Sequence, residues 1–265
     1  SFFHWDSEPF MPVEFSAAAF RFGHSMVREQ YMLDDIPDSP GVLLFYPDIQ
    51  KPGRKPQPNP IDLSGFQARR RGLRIQWARF FEFPGRKKPI FVQRARPIDT
   101  LISEPLLRLP SRVAGGESHI KRSLPVRNLL RGKALGLPSG QAVARAMGIA
   151  STNILGEGTS FDISHAGIEG SHRNLGKTRV SVENLLDEFQ RETPLWYYIL
   201  KEAEVLHAGA CLGPVGGRIV AEVFAGLLHD DRFSFLNIYP SWKPETEFGI
   251  AQLLALADPQ HSRGE

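Results

Sequence analysis

Apolar residues recur at a helical period along most of the chain. From Glu14 to Tyr31, EFSAAAFRFGHSMVREQY, a helix at 100° per residue places Val13, Ala17, Phe20, Val27 and Tyr31 on the face of His24. Phe15, Ala18, Phe22 and Met26 fall on the opposite face. A helix that is apolar nearly all round is a buried one. The pattern therefore predicts a buried helix from which one imidazole projects, with Arg21 and Arg28 one turn away on either side.

Further elements follow from the same period and from its punctuation. Residues 1–13 read as an irregular lead-in, 34–39 as a turn broken by Pro37, and 51–65 as a Pro- and Gly-rich surface loop. Short helices are expected over Leu73–Phe83 and Thr100–Leu109, the second stopped by Pro110. Leu124–Leu137, between Pro125 and Pro138, and Gln141–Met147, entered through Ser139-Gly140, are further helices. Residues 151–178 are rich in Gly, Ser, Thr and Asn and read as a long flexible loop carrying His165 and His172. Val182–Arg191 is helical by pattern. Thr193-Pro194 opens LWYYILKEAEVLHAG, which Gly209 ends, and Gly213-Pro214 opens VGGRIVAEVFAGLLHDD. Pro240, Pro244 and the polar end HSRGE suggest a fraying terminus. No stretch alternates with period 2 over strand length, so the fold class is mainly α, with helices joined by long irregular connections.

Composition narrows the classes. With 265 residues, 42% hydrophobic and 23% charged, the chain is long enough for one large domain. Its apolar runs fall far short of the ~20 residues of a membrane span, and the N-terminal SFFHWDSEPFMPVEF has no signal-peptide pattern. The start lacks Met, as at an artificial boundary or a processing site; the compartment is unknown, and a secreted or periplasmic full-length protein stays open. One cysteine, Cys211, excludes an intrachain disulfide. The net charge of +3 is concentrated between Lys51 and Arg96, where aromatics are interleaved with cations. Prolines at 52, 56, 58, 60, 84, 89 and 97 break that block, so a nucleic-acid interface is not expected.

His24 is the candidate with chemistry. On pattern alone the plainer reading is a core histidine bonded to a nearby carbonyl. The sharper one is a proximal ligand of haem iron, with Arg21 and Arg28 as partners of the two propionates. A second segment, Leu124-Pro125-Val126-Arg127-Asn128-Leu129-Leu130-Arg131, puts Asn128 and Arg131 on one helix face. An amide oxygen can accept the outer N–H of a metal-bound imidazole. Asn128 reads equally as a helix cap after Pro125, and Arg131 as a solvated cation. In the late segments, Trp196, Tyr197 and Tyr198 read as core aromatics rather than electron relays. Gly216-Gly217 lacks the strand and third glycine of a dinucleotide site.

Ala19-Phe20-Arg21-Phe22-Gly23-His24-Ser25 resembles the proximal-histidine motif of the animal-type haem peroxidases, the superfamily of myeloperoxidase, thyroid peroxidase and cyclooxygenase. The spacing Leu-Pro-x-x-Asn-x-x-Arg-x-x-x-x-Gly-Leu-Pro over 124–138 resembles a second segment of that family. Thr193–Leu200 with Leu212–Arg218 resembles its late Gly-Pro helix, closest to bacterial members. The resemblance runs from about Met11 to Asn237. It implies haem b, with His24 ligating iron, Asn128 bonding His24, and Arg131 holding a propionate. It also implies reduction of hydrogen peroxide with oxidation of a halide or small organic donor. The alternatives are a fatty-acid oxygenase of the same superfamily and a non-enzymatic haem-binding or structural relative. Where the family has an apolar residue this chain has Arg127, and Lys133-Ala134-Leu135 stands where it often has Arg-Asp-His. In the family the distal histidine, its arginine and a calcium loop precede the proximal histidine by ~100 residues or more, whereas 23 residues precede His24 here. The expectation is thus the C-terminal, proximal half of the fold, with the distal half absent or on a companion chain, and no calcium site in this one.

Overall fold

Residues 195–203, LWYYILKEA, are all buried, and this is where the core of the molecule lies. The computed structural model describes residues 10–33, 41–46, 62–64, 75–83, 92–116, 118–161, 188–243 and 248–257. The central helix Leu195–His207 packs against four elements: the 3-10 helix Ala19–His24 and the helices Leu124–Ala134, Gly140–Ala146 and Pro214–Asp230. Its first two turns carry apolar side chains all round, which only burial on every side can satisfy. It ends in two successive left-handed residues, Ala208 (φ 49°) and Gly209 (φ 74°). Gly209 is required for a second reason, because a Cβ there would sit 2.6 Å from Cβ of Pro97.

The described part is mainly helical, as the apolar period predicts. Its one sheet is an antiparallel pair, Gln30–Tyr31 with Val42–Leu43, too short to show alternation in sequence. No helix among the described residues is long and apolar enough to cross a membrane.

The stretch around His24 departs from expectation. It is not one buried α-helix over Glu14–Tyr31. An α-helix Val13–Ala17 breaks at Ala18 (φ −129°), a 3-10 helix Ala19–His24 follows, and Gln30–Tyr31 is a strand. The break shifts the helical phase, so Phe20 is 54% exposed while Ala17, Ala18 and Ala19 are buried in succession. Three small side chains in a row let the backbone run close between the central helix, Pro214–Asp230 and Leu124–Ala134. Phe20 stacks instead on Phe15, with centroids 5.0 Å apart, and both meet Phe224.

Other elements fall near their expected places and are shorter. Thr100–Leu109 contains the helix Glu104–Leu107, and Leu73–Phe83 contains a single 3-10 turn, Trp77–Arg79. Helix Leu124–Ala134 ends before Gly136, and Gly140–Ala146 begins under a cap in which Ser139 Oγ accepts from Ala142 N. Residues 188–191 are helical, and 182–187 lie outside the described residues. The expected loop over 151–178 is fastened at its start. Ile154, Leu155 and Phe161 are buried in the core, and Leu155 N donates to Tyr198 Oη. Three apolar side chains amid the polar run supply that anchor. His165 and His172 lie outside the described residues, as does most of the basic block. The region expected to fray contains two more helices, Phe235–Ile238 and Ile250–Ala257.

Gln141, 1% exposed, ties these pieces together. Its amide nitrogen donates toward the carbonyls of Leu155 and Gln190 and to Thr193 Oγ1, while its oxygen accepts from Thr193 N. Backbone polar groups of two connections are thereby satisfied from one buried side chain.

Candidate functional site

Helix Leu124–Ala134 has one fully buried side chain. Asn128 is 1% exposed, and the residues on either side of it are not buried. It is not the cap of this helix, since the N-cap is Ser123, five residues earlier. Its side chain meets the 3-10 helix Ala19–His24, whose position is held by the central helix: Trp196 Nε1 donates to the carbonyl of Arg21 at 3.4 Å. The result joins residues more than a hundred positions apart. Asn128 Nδ2 lies 3.0 Å from His24 Nδ1, and Arg21 Nη1 donates to Asn128 Oδ1 at 2.9 Å.

The polarity of this chain of contacts differs from the expectation that Asn128 accepts from His24. A guanidinium has donors only, so the amide atom facing Arg21 is the oxygen. The amide nitrogen then faces His24 and donates to Nδ1. A neutral imidazole that accepts at Nδ1 carries its proton at Nε2. Burial first, and then the charge of Arg21, hold His24 below the ordinary histidine range, which keeps the ring neutral.

Arg21 stands in a positive cluster. Its guanidinium is pushed below its ordinary range by burial first, then by the charges of Arg131 and Arg127. Arg127 and Arg131 are four apart and lie on one edge of the helix, both exposed. Arg127, expected only as a departure from the family's apolar residue, is a member of this cluster, and its i,i+4 spacing to Arg131 was the signal for it. Arg21 Nε also donates to Ser16 O, and no carboxylate among the described residues pairs with Arg21.

Arg28 is placed elsewhere. Its Nη2 donates to the carbonyl of Arg94, and its own N–H is taken by Tyr31 Oη at 3.0 Å. The strand that begins at Gln30 carries the chain away from a helical path, so Arg28 joins the 92–96 segment, not the Asn128 cluster. Arg131 remains next to the site, with no side-chain hydrogen bond among the described residues.

Two cavities lie close by. One of about 340 Å³ is lined by Asn128, Ala17, Leu129, Gly132 and Trp196. The other, about 420 Å³ and mostly apolar, lies between Val143, Met147, Ile219 and Val223, and His24 lines neither. Among the described residues no group of three or more His, Cys, Asp or Glu is placed to hold a bare metal ion. No protein family, curated protein or solved structure matches the chain.

The residue types suit a flat metal complex that carries carboxylates. They supply one imidazole whose Nε2 makes no bond to Asn128 but carries the ring proton, a buried amide to orient the ring, and arginines for the anionic groups. The amide has to reverse for Asn128 to accept from Nδ1–H and leave a lone pair on Nε2.

Proposed function

We propose that this chain is the proximal, haem-ligating part of a haem peroxidase of the animal type, bacterial in its late segments. One observation carries the reading: His24 and Asn128, which the resemblance pairs, meet at 3.0 Å across 104 residues of sequence, with Arg21 on the same amide. A core histidine bonded to a carbonyl, the plainer alternative, has no such partner.

In this reading His24 is the iron ligand, Asn128 orients its ring, and Arg21 and Arg131 receive the propionates. Arg28 is assigned no part, because its guanidinium is engaged by the carbonyl of Arg94. Bound haem supplies the redox centre at which hydrogen peroxide is reduced and a halide or small organic donor oxidised. The protein's contribution here is to fix the imidazole and to neutralise carboxylates with cations that are already clustered. Phe20, on the 3-10 helix of His24, and Phe224, on Pro214–Asp230, are exposed apolar side chains that meet with centroids 6.1 Å apart. A companion segment bearing the distal residues would bury them.

The test is an absorption titration of the chain with haem, for wild type and His24→Ala. Saturable binding with a histidine-ligated spectrum is expected for wild type, lost or severely weakened in His24→Ala. Equal spectra and affinities in the two proteins would refute His24 as the ligand.

A further inference from the structure

We propose that Arg21 sets the tautomer of His24 through Asn128, and so makes metal ligation at Nε2 conditional on an anion drawing Arg21 away. The identity of metal and anion rests on the haem reading; the tautomer does not.

The argument is one of donors and acceptors. Arg21 Nη1 can only donate, so Asn128 Oδ1 at 2.9 Å must face it. Turning the amide over would press its NH2 against the guanidinium, donor against donor, at a side chain that is 1% exposed. A buried donor-against-donor contact of this kind leaves both groups without acceptors, so the amide stays as it is while Arg21 is present. Its nitrogen then donates to His24 Nδ1 at 3.0 Å. The ring proton sits on Nε2, and a protonated Nε2 has no lone pair for a metal.

Release requires three coupled changes. Arg21 moves its donor to another oxygen, the amide reverses so that Oδ1 accepts, and the ring exchanges its Nε2 proton for one on Nδ1. One proton leaves and one is taken up, so the ring stays neutral throughout. A carboxylate is suited to the first change, because it outbids a neutral amide oxygen for a guanidinium and can engage it through two bonds. Arg127 and Arg131, whose charges already bear on Arg21, attract the same group. The site is therefore built to prefer a carboxylate-bearing planar metal complex over the same complex without charge. Arg21 is the residue that makes the distinction, and it acts on the ligand atom through Asn128.

The experiment has two arms. In the first, the chain is labelled with ¹⁵N-histidine and the ring nitrogens of His24 are observed without cofactor, identified by their loss in His24→Ala. Wild type is expected to show only the Nε2–H form. Arg21→Leu should bring a measurable Nδ1–H fraction. Asn128→Asp, whose carboxylate accepts from both sides, should move the proton to Nδ1, with far-UV circular dichroism checking the fold. In the second arm, haem and its dimethyl ester are titrated into the same proteins. Wild type should prefer the free acid by about tenfold or more, and Arg21→Leu and Asn128→Asp should both narrow that preference. An Nδ1–H ring in the ligand-free wild type, or equal binding of acid and ester, overturns the proposal. If no binding depends on His24, the haem reading and the gating fall together, and the tautomer assignment is decided by the nitrogen shifts alone.

Discussion

Glu202 lies in the central helix with no solvent exposure, and replacing it with Gln isolates the energetic effect of one buried charge. Its carboxylate accepts from Val215 N, at 3.1 and 3.0 Å to the two oxygens, and from Gly216 N at 3.2 Å. These donors open the helix Pro214–Asp230, so its positive end also favours the anion, by up to about 2 kcal/mol. Burial opposes both effects and outweighs them, pushing the carboxyl from its ordinary 4.5 up to about 7. A carboxyl with a higher pKa when folded binds its proton more tightly in the folded chain. The stability it contributes is complete below about pH 4.5 and is lost as pH rises through about 7. At about 1.36 kcal/mol per pH unit, the loss amounts to roughly 3 kcal/mol. Glu202→Gln keeps an acceptor for the Val215 and Gly216 amides and carries no charge at any pH. Urea unfolding across this range should find the two proteins alike near pH 4.5. Near pH 8 the variant should be the more stable, by roughly 3 kcal/mol. A variant less stable than wild type near pH 8 would show that the N–H bonds and helix end outweigh burial, refuting the reasoning.

Three further perturbations read the packing directly. Gly140→Ala places a Cβ 1.9 Å from Tyr198 Cγ, with Tyr198 fully buried, so a loss of about 1–3 kcal/mol or more is expected in urea unfolding; an unchanged midpoint would contradict the close approach. Ser139→Ala removes the cap bond to Ala142 N and should cost about 0.5–2 kcal/mol, with m unchanged. Asn128→Leu strips Arg21 and His24 of their shared partner, for about 1–3 kcal/mol. Combined with Arg21→Leu, the loss should be less than additive, and strict additivity would mean the two side chains do not interact.

Much of the helical framework was legible because local signals agreed with one another. Pro194 and Gly209 bracket the central helix, Gly213-Pro214 opens the next, and Ser139 caps Gly140–Ala146. Trp196, Tyr197 and Tyr198 fall in the core, as a helix apolar on all sides requires. The spacing of Asn128 and Arg131 likewise puts an amide and a cation one turn apart. Where local and tertiary signals conflict, the tertiary ones prevail. The run from Glu14 to Tyr31 fits a helical period, yet Ala18 breaks it, because close passage between three helices outweighs the weak local preference for α-helix. The 151–161 segment has a loop's composition, but Ile154, Leu155 and Phe161 anchor it in the core.

By itself, the sequence determined a mainly helical chain, the residue types available for chemistry, and the helix face shared by Asn128 and Arg131. Those are consequences of period, propensity and spacing, which act within a few residues. The tertiary structure decided which groups meet and in which sense they bond. The contact between His24 and Asn128 spans 104 residues, and its polarity depends on Arg21, a donor with no acceptor of its own. Likewise Glu202 becomes a titrating group near neutrality only because the folded chain buries it beneath another helix's first amides. Desolvation and hydrogen-bond direction belong to the assembled neighbourhood, and no local stretch of sequence contains that neighbourhood.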